Sequence, residues 1–328
     1  MSTKKSLLET AMPEKPIIIT VGEILVEFVS HKRNCCLEEV AEYSGPYPSG
    51  APAIFLDQAA RMGANTEMFG GVGSDGFGRS VLARLEDDRV GTKGICQSSN
   101  LSTGVAFVSY YDDGSRDFIF HLTNTAADNF DVNFDGLELD RVWLHVSAAS
   151  LGNDRLRAEI MKSVNLVSAA GGKITCDPNA RPELMRDSEA SKALAEVIAR
   201  STILLPSTSD LAFLYPNLSE NQAIETMLKS EAEIVVLKRG SRGATVVHGE
   251  KRYDYPGHSV TEVDPTGAGD CFCGTFVALV AQGFDVSGAG RIANAAGAIA
   301  VTRRGPMEGN SSFEEIKNFL ENEKVLSA

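Results

Sequence analysis

Residues 263–270 read Val-Asp-Pro-Thr-Gly-Ala-Gly-Asp, and the apolar helical run 271–281 follows directly. The small residues at 267–269 allow a tight turn that exposes backbone N–H groups at a helix start, where the helix dipole attracts an anion. A carboxylate beside a bound phosphate is repelled by it, so Asp270 is more useful as the acceptor of a proton from a nucleophile that attacks this phosphate. Alternatively, Asp270 is only a first-turn helix acid and the glycines only form a turn.

The chain around this stretch alternates short β-branched runs with helical segments from about residue 141 to 305. The runs lie at 142–146, 173–176, 202–205 and 234–237, and helices with apolar residues at three- and four-residue spacing lie at 156–169, 188–199 and 222–229. This alternation is typical of βαβ units. It predicts an α/β fold with a doubly wound, mainly parallel sheet that is flanked by helices on both faces.

Two regions depart from this alternation. Residues 104–111 and 117–122 read as strands on either side of the turn-rich segment 112–116, which predicts a hairpin. The stretch 26–48 is also expected to be extended and to leave the main sheet. We expect the two regions, about 26–48 and 102–123, to form a small β-sheet lid beside a ligand cleft, with an exposed face that suits a homodimer.

The charge balance limits the possible partners. The 328 residues include 31 basic and 44 acidic side chains, which leaves a net charge of −13. This charge argues against a general affinity for nucleic acid or for an anionic membrane surface. The apolar run at 272–281 is about half of the ~20 residues that a membrane-spanning helix needs, so no membrane partner is expected.

The N-terminus and the cysteines indicate the compartment. Residues 1–16 contain no secretory apolar region and are predicted to be a disordered leader. The six cysteines have no Cys-x-x-Cys spacing and no nearby histidine pair, which favours reduced, buried thiols over zinc ligands or a redox couple. We therefore expect a cytoplasmic protein.

Residues 264–270 resemble the C-terminal signature of the PfkB, or ribokinase-like, carbohydrate kinases. Further segments agree with that family in order and spacing, namely 49–53, 61–64, 70–78, 238–243 and 294–298. The first three look like its N-terminal signature, the fourth like its nucleotide-site strand and loop, and the last like the helix beside its adenine. The resemblance covers about residues 17–324 and implies one ribokinase-like kinase domain into which the lid segments are inserted.

This resemblance implies a set of roles in phosphoryl transfer from ATP to a sugar. Asp270 would be the catalytic base, and the amides of Gly267, Ala268 and Gly269 would form the anion hole. The residues implied along the nucleotide are Lys238, Gly240, Gly243 and Asn294. The residues implied at a monovalent-cation site, for K⁺, are Asp264, Thr266, Ala300, Arg303 and Gly305.

The resemblance also implies Mg²⁺, but the family's Asn-x-x-Glu motif appears here only as Ser-Thr-Ser-Asp at 207–210. Direct ligation by Asp210 is therefore in doubt. Because Mg²⁺ usually keeps several waters, we expect this carboxylate to hold the ion through water.

A second glycine pattern has to be considered, because residues 71–76 match the dinucleotide fingerprint Gly-x-Gly-x-x-Gly. That fingerprint needs an acidic residue about 20 positions further on. The residues near that distance, 94–97, are Gly-Ile-Cys-Gln, and the chain has no Gly-x-x-x-x-Gly-Lys-Ser/Thr loop. If a phosphate is bound, we therefore expect the turn at 267–270 to bind it.

Several positions depart from the family pattern and bear on the sugar. Ile54 stands where the family usually has a sugar-contacting asparagine, and Asp57, one helical turn further on, either replaces that contact or is merely solvated. Glu27 stands where an aspartate commonly holds sugar hydroxyls, and it either binds a differently placed hydroxyl or points to solvent. Gly50 is expected to contact the substrate as well.

His121 and Arg181 bear on whether the sugar is acidic. In relatives that act on 2-keto-3-deoxygluconate, the strand that matches 118–121 tends to end in an arginine, whereas His121 is mostly neutral at pH 7. Arg181 resembles the arginine of an Asp-x-Asn-x-Arg segment in fructokinase and ketodeoxygluconate kinase relatives, unless it forms only a surface ion pair. Residues 45–55 resemble tagatose-type kinases, so a neutral ketohexose is favoured.

The resulting hypothesis is an ATP-dependent kinase that phosphorylates a primary hydroxyl of a small sugar, such as tagatose or fructose. A 2-keto-3-deoxygluconate kinase remains open. So does a nucleoside kinase, for which Tyr110, Tyr111 and Phe120 offer an aromatic platform. A catalytically silent sugar or nucleotide sensor is the alternative from another class, and the presence of Asp270 counts against it.

Overall fold

The computed structural model describes residues 15–112, 115–180 and 187–326. Residues 1–14 of the expected leader, and Arg181, lie outside this description. The strands are β1 (Ile17–Val21), β2 (Leu25–Ser30), β3 (Tyr43–Ser49), β4 (Asn65–Gly73), β5 (Ile95–Ser98), β6 (Gly104–Tyr110), β7 (Arg116–His121), β8 (Val142–Ser147), β9 (Lys173–Asp177), β10 (Ile203–Leu204), β11 (Ile234–Lys238), β12 (Ala244–His248) and β13 (Lys251–Tyr255). The α-helices are α1 (Ala51–Arg61), α2 (Gly76–Asp87), α3 (Asp154–Ala170), α4 (Ser188–Arg200), α5 (Thr208–Leu214), α6 (Glu220–Met227), α7 (Ala268–Ala281), α8 (Val286–Ala300) and α9 (Phe313–Leu326).

The main sheet of the described residues has nine strands in the order β13-β12-β11-β10-β9-β8-β1-β4-β5. Every neighbouring pair from β11 to β5 is parallel, and β12 and β13 add an antiparallel edge. The central strands are apolar along their length because helices cover both of their faces. The predicted α/β fold with a doubly wound, mainly parallel sheet is confirmed.

Two hydrophobic cores lie on the two faces of this sheet. One core includes α1, α7 and α8, and the other includes α3 and α4. Helix α7 is apolar around its whole circumference at 271–279, and all of these residues are buried. The helix packs against both α1 and α8, which explains why its sequence has no polar face. None of the helices in the described parts of the chain is long and apolar enough to cross a membrane.

A separate four-stranded sheet has the order β3-β2-β6-β7. Strands β2 and β6 are parallel, whereas the β2–β3 and β6–β7 pairs are antiparallel. All four strands lie in the regions 26–48 and 102–123 that break the sequence alternation, except that β2 starts one residue earlier, at Leu25, and β3 ends one residue later, at Ser49. We call this element the small sheet.

The strand order changes direction at β1. The chain adds β4 and β5 on one side of β1 and adds β8 and the later strands on the other side. In open parallel sheets, ligands bind beyond the carboxyl ends of the strands at such a switch point. The carboxyl ends of β1, β8, β9 and β11 are therefore the part of the fold that positions a site.

The turn before α7 depends on a glycine. Gly267 caps the helix with a φ of +76°, and a Cβ atom on it would lie 2.2 Å from the carbonyl oxygen of Pro306. Glycine is the residue that adopts this conformation without strain, and its missing side chain lets the segment after α8 approach the turn closely.

Asp57 is fully buried in α1, away from solvent. Its carboxylate accepts a hydrogen bond from Asn310 Nδ2 at 2.6 Å and lies 3.5 Å from Arg84 Nε. Arg84 also donates to the carbonyl oxygen of Met307 at 2.7 Å, so α1, α2 and the segment after α8 are joined. The expected substrate contact of Asp57 is wrong, because this face of α1 packs inside the protein.

We predict that Asp57 makes the stability depend on pH. Burial, followed by a hydrogen bond to Asp88, raises the pKa of Asp57 to about 7, so the folded protein keeps a proton that the unfolded chain releases above about pH 4. The stability from this proton is complete at low pH and is lost as the pH rises through about 7. The quantity to follow is the difference in unfolding free energy between the wild type and Asp57→Asn. This difference, wild type minus variant, should fall by up to about 1 kcal/mol per pH unit between pH 5 and 7.

Denaturant titrations at a series of pH values measure this difference. The matched control is Asp87→Asn, which changes an exposed aspartate at the end of α2. A difference curve for Asp57→Asn as flat as that of the control would contradict the prediction.

We predict that Gly267→Ala and Gly269→Ala have very different effects. The first change forces a side chain into a positive φ and onto Pro306, and it should cost roughly 2–5 kcal/mol of unfolding free energy. A Cβ at Gly269 meets only Lys238 Nζ, at 3.6 Å, so that variant should stay within about 1 kcal/mol of the wild type. Chemical denaturation compares the two, and similar losses would argue against the strained turn.

Candidate active site

A cavity of about 850 Å³ lies between the small sheet and the carboxyl ends of the main-sheet strands. This volume is within the usual range of roughly 300–1,000 Å³ for small-molecule sites. Its lining extends from Glu27 of β2 and Phe118 of β7 to Asn294 of α8. The cavity therefore has one end beside the small sheet and another beside the loop after β11.

Residues 267–270 line this cavity as the first turn of α7. The first N–H groups of a helix have no intrahelical acceptor. Here the amide of Ala268 makes only a 3.5 Å contact with the carbonyl oxygen of Pro265. The turn thus combines amides suited to an anion with the carboxylate of Asp270, which is the combination that the sequence predicted.

Lys238 lies at the end of β11 and also lines the cavity. Its Nζ forms an ion pair with Asp177 and lies 3.3 Å from Cys273 Sγ. Burial is the largest single effect and would lower the pKa of Lys238, but Asp177, Cys273 and Asp210 together outweigh it, so the pKa is raised and the side chain stays cationic. Asp177 was not predicted as a site residue, although its position at the end of a parallel strand was the available signal.

The other residues predicted along the nucleotide also line the cavity. Gly240 and Gly243 belong to the loop after β11, and both have a positive φ. A Cβ on Gly243 would lie 2.0 Å from the carbonyl oxygen of Tyr255, so this loop packs tightly against the end of β13. Asn294 donates from Nδ2 to the carbonyl oxygen of Pro256 at 2.8 Å. We call the part of the cavity that these residues line the nucleotide end, because the sequence resemblance predicts the nucleotide there.

Acidic side chains lie at the opposite end. Glu27 is only 3% exposed and accepts a hydrogen bond from Ser49 Oγ at 3.3 Å, and Gly50 lies beside it in the cavity wall. Glu23 is 8% exposed and accepts from Ser150 Oγ at 2.5 Å. Glu27 therefore does not point to bulk solvent. Glu23 was missed, although it lies two residues after the end of β1, at the switch point.

His121 is not part of this cavity, so its expected substrate contact is wrong. Side chains alternate between the two faces of a strand, and the residues of β7 that line the cavity are Arg116, Phe118 and Phe120. His121 instead borders a shallow depression of about 380 Å³ with Ile119 on the opposite face. The alternation was visible in the sequence, but which face points inward was not.

Asp210 also lines the cavity, but its oxygens are already hydrogen-bonded. It caps α5 by accepting from the backbone N–H and the hydroxyl of Ser207, each at 2.6 Å, and it accepts from Ala180 N at 2.7 Å. Burial, and then the charge of Asp177, raises the pKa of Asp210. The described residues contain no group of three or more His, Cys, Asp or Glu arranged around a metal position.

The residues implied at a monovalent-cation site lie behind the turn. The Asp264 carboxylate accepts from Thr266 N at 3.0 Å and from Gly305 N at 2.9 Å. Ala300 ends α8 and is buried, whereas Arg303 is exposed and donates to the carbonyl oxygen of Glu308 at 3.3 Å. Of these residues, Thr266 also lines the cavity. The Asp264 carboxylate and the Thr266 hydroxyl thus lie together beside the turn, and hard cations prefer oxygen donors of this kind.

Known proteins resemble this chain over nearly its whole length. A fructokinase from Vibrio alginolyticus is 30% identical over 280 residues, which cover 83% of this chain and 91% of that protein. An E. coli protein described as ribokinase II, solved in complex with ATP and Mg²⁺, superposes with a TM-score of 0.87 at 39% identity and covers 94% of this chain and 99% of its own. A Vibrio cholerae fructokinase double mutant, solved with fructose, ADP and a potassium ion, shares the fold with a TM-score of 0.78 at 23% identity, over 93% of this chain and 99% of its own.

The family itself is shown by a match over most of the sequence. The sequence profile of the pfkB family carbohydrate kinases matches residues 17–312. This range includes the turn at 267–270, the loop after β11, and Glu23 and Glu27 at the acidic end of the cavity. The chain therefore belongs to the pfkB family of carbohydrate kinases.

Proposed function

We propose that this protein is an ATP-dependent kinase that transfers the γ-phosphoryl group to a primary hydroxyl of a ketohexose, such as fructose or tagatose. The observation that carries the proposal is the position of Asp270 and the α7 amides in the wall of one cavity that has both a nucleotide end and an acidic end. The similarity to the V. alginolyticus fructokinase and to the ATP-bound E. coli structure supports this assignment.

The chemistry follows from the positions of these groups. The sugar lies at the Glu27 end, where buried carboxylates accept hydrogen bonds from its hydroxyls. Asp270 takes the proton of the reacting hydroxyl while the sugar oxygen bonds to the γ-phosphorus, and the bond from that phosphorus to the β–γ bridging oxygen breaks to release ADP. The amides of 267–269 stabilise the charge on the transferring group, and the small sheet helps to exclude water.

Two cations fit the residues present. Mg²⁺ would neutralise charge on the ATP phosphates, and Asp177 and Asp210 are the nearby carboxylates that could orient its waters. A monovalent cation, K⁺, would be held by the oxygen donors around Asp264 and Thr266, where it would stabilise the turn. The V. cholerae fructokinase was solved with a potassium ion.

Arg116 supports a second substrate class. It lines the cavity from the small sheet, on the face opposite His121, and stacks over Phe118 at 5.3 Å from the ring centroid. A guanidinium in this position could bind a carboxylate. A 2-keto-3-deoxygluconate-type sugar acid is therefore the alternative substrate.

The aromatic rings of β7 bear on the nucleoside alternative. Phe118 and Phe120 stack with centroids 5.2 Å apart and line the cavity, so they offer an apolar surface to a sugar or a base. Tyr110 does not line this cavity, and the Tyr111 hydroxyl bonds to Asp117.

We predict that Asp270→Asn abolishes turnover and leaves ATP binding within about twofold of the wild type. A general base contributes about 10²–10⁴-fold to rate, so kcat should fall by at least 10²-fold. ADP release is measured over a panel of ketohexoses, aldoses, 2-keto-3-deoxygluconate and adenosine, and ATP affinity is measured by calorimetry. The control is Asp87→Asn.

The panel also separates the alternative functions. Turnover with a ketohexose supports the proposal, whereas preference for the sugar acid or for adenosine replaces it with the corresponding kinase. Clear ATP binding with no turnover on any compound would favour a sensor. Near-normal turnover of Asp270→Asn would contradict its assignment as the base.

We also propose a cytoplasmic homodimer that forms through the outer face of the small sheet. That face carries Val40, which is fully exposed, and Ile119, which is 42% exposed, beside the shallow depression. Apolar exposure of this kind is typical of an interaction surface. The six cysteines are all free of disulfides, which supports a reducing compartment.

We predict that Ile119→Asp converts a dimer into a monomer, because a buried, unpaired carboxylate would destabilise the interface. Size-exclusion chromatography with light scattering measures the mass of both forms. The control is Leu166→Asp, a residue of α3 that is 45% exposed and far from the small sheet in sequence and fold. A wild-type protein of single-chain mass would rule the dimer out.

A further inference from the structure

We propose that Tyr110 is a positioning residue that holds the small sheet in register with the phosphoryl-transfer turn. This inference rests on the proposed kinase function, because it concerns how the acidic end of the cavity is placed relative to Asp270. Tyr110 is the last residue of β6 and is 8% exposed.

The hydroxyl of Tyr110 reaches from the small sheet to the main domain. It donates to Asp264 Oδ1 at 2.5 Å and also contacts Thr266 Oγ1. Tyr110 lies outside the cavity wall, whereas Thr266 belongs to it. The hydroxyl therefore contacts the turn from behind and does not meet a substrate directly.

The acceptor of this hydrogen bond already organises the turn. Asp264 Oδ1 also accepts from Thr266 N, and Oδ2 accepts from Gly305 N. Gly267, whose positive φ starts α7, comes three residues after Asp264. A tyrosine hydroxyl on this carboxylate thus couples the small sheet to the amides of the proposed anion hole.

Within the small sheet, Tyr110 belongs to β6, which lies between β2 and β7. Strand β6 pairs with β2, where Glu27 lies opposite Ala106, and with β7, where Arg116 lies opposite Tyr110 itself. A shift of β6 would therefore move Glu27 and the aromatic wall of β7 together. The distance between a bound sugar and Asp270 depends on this strand.

Two further contacts between the small sheet and the main domain are apolar. The Tyr47 ring lies against Gly305, where a Cβ would meet it at 2.8 Å, and Phe28 packs edge-on against Phe77 of α2. Packing of this kind is non-directional. The buried hydroxyl–carboxylate hydrogen bond is directional and shorter than a neutral one.

The test compares two adjacent tyrosines. Tyr110→Phe removes the buried hydroxyl and keeps the ring, while Tyr111→Phe removes an exposed hydroxyl that bonds to Asp117 at 2.6 Å. With the best substrate of the panel, Tyr110→Phe should lower kcat/KM for the sugar at least tenfold and leave KM for ATP within twofold. Tyr111→Phe should stay within twofold of the wild type in both.

ATP-binding stoichiometry, measured by calorimetry, corrects each rate for the folded fraction. A loss of activity that disappears after this correction, or an equal rise of both Michaelis constants, would show that Tyr110 only supports folding and would overturn the proposal. Sugar kinetics of Tyr110→Phe that match the wild type would overturn it as well.

Backbone hydrogen exchange tests the coupling without any sugar. Tyr110→Phe should increase exchange at least tenfold in β6 and β7 and leave β8 and β11 unchanged, while Tyr111→Phe should leave all four strands unchanged. Unchanged exchange in β6 and β7 would overturn the proposal. If no compound of the panel is phosphorylated, the kinase assignment fails, and the exchange result alone decides whether Tyr110 holds the small sheet.

Discussion

The buried carboxylate of Asp264 is the contact on which the arrangement of the active site depends. It accepts hydrogen bonds from the backbone of its own turn, from the segment after α8 and from a tyrosine of the small sheet. Hydrogen bonds to a charged group contribute roughly 1.5–3 kcal/mol each, and leaving such a group unsatisfied inside the protein costs more. Three chain segments that are far apart in sequence are therefore held in one position.

For function, the important question is which groups attract an anion to this site. The protein carries a net charge of −13, so long-range attraction cannot concentrate a nucleotide. We propose that the attraction comes instead from the first-turn amides of α7 and from Lys238, which Asp177 helps to keep charged. Such short-range groups act in a cavity with little water, where electrostatic interactions are stronger than in solution.

The sequence largely predicted whether each segment is a helix or a strand. It did not predict what each face of that element packs against. The β-branched runs at 142–146 and 234–237 became central strands, and the stretch at 263–270 became the start of a buried helix. Asp57 and His121 were misassigned because a helix or strand pattern identifies faces without saying what each face meets. Glu23 and Asp177 were missed for a related reason, since their role depends on strand ends that come together only in the sheet.

The sequence by itself determined the family, the candidate anion-binding turn and the identity of the candidate base, because these depend on residues that are neighbours along the chain. The tertiary structure decided which carboxylates enter the cavity, which face of β7 forms its wall and how Tyr110 meets Asp264. Those contacts join residues up to 154 positions apart. Their geometry is set by the packing of the two sheets, which no local pattern encodes.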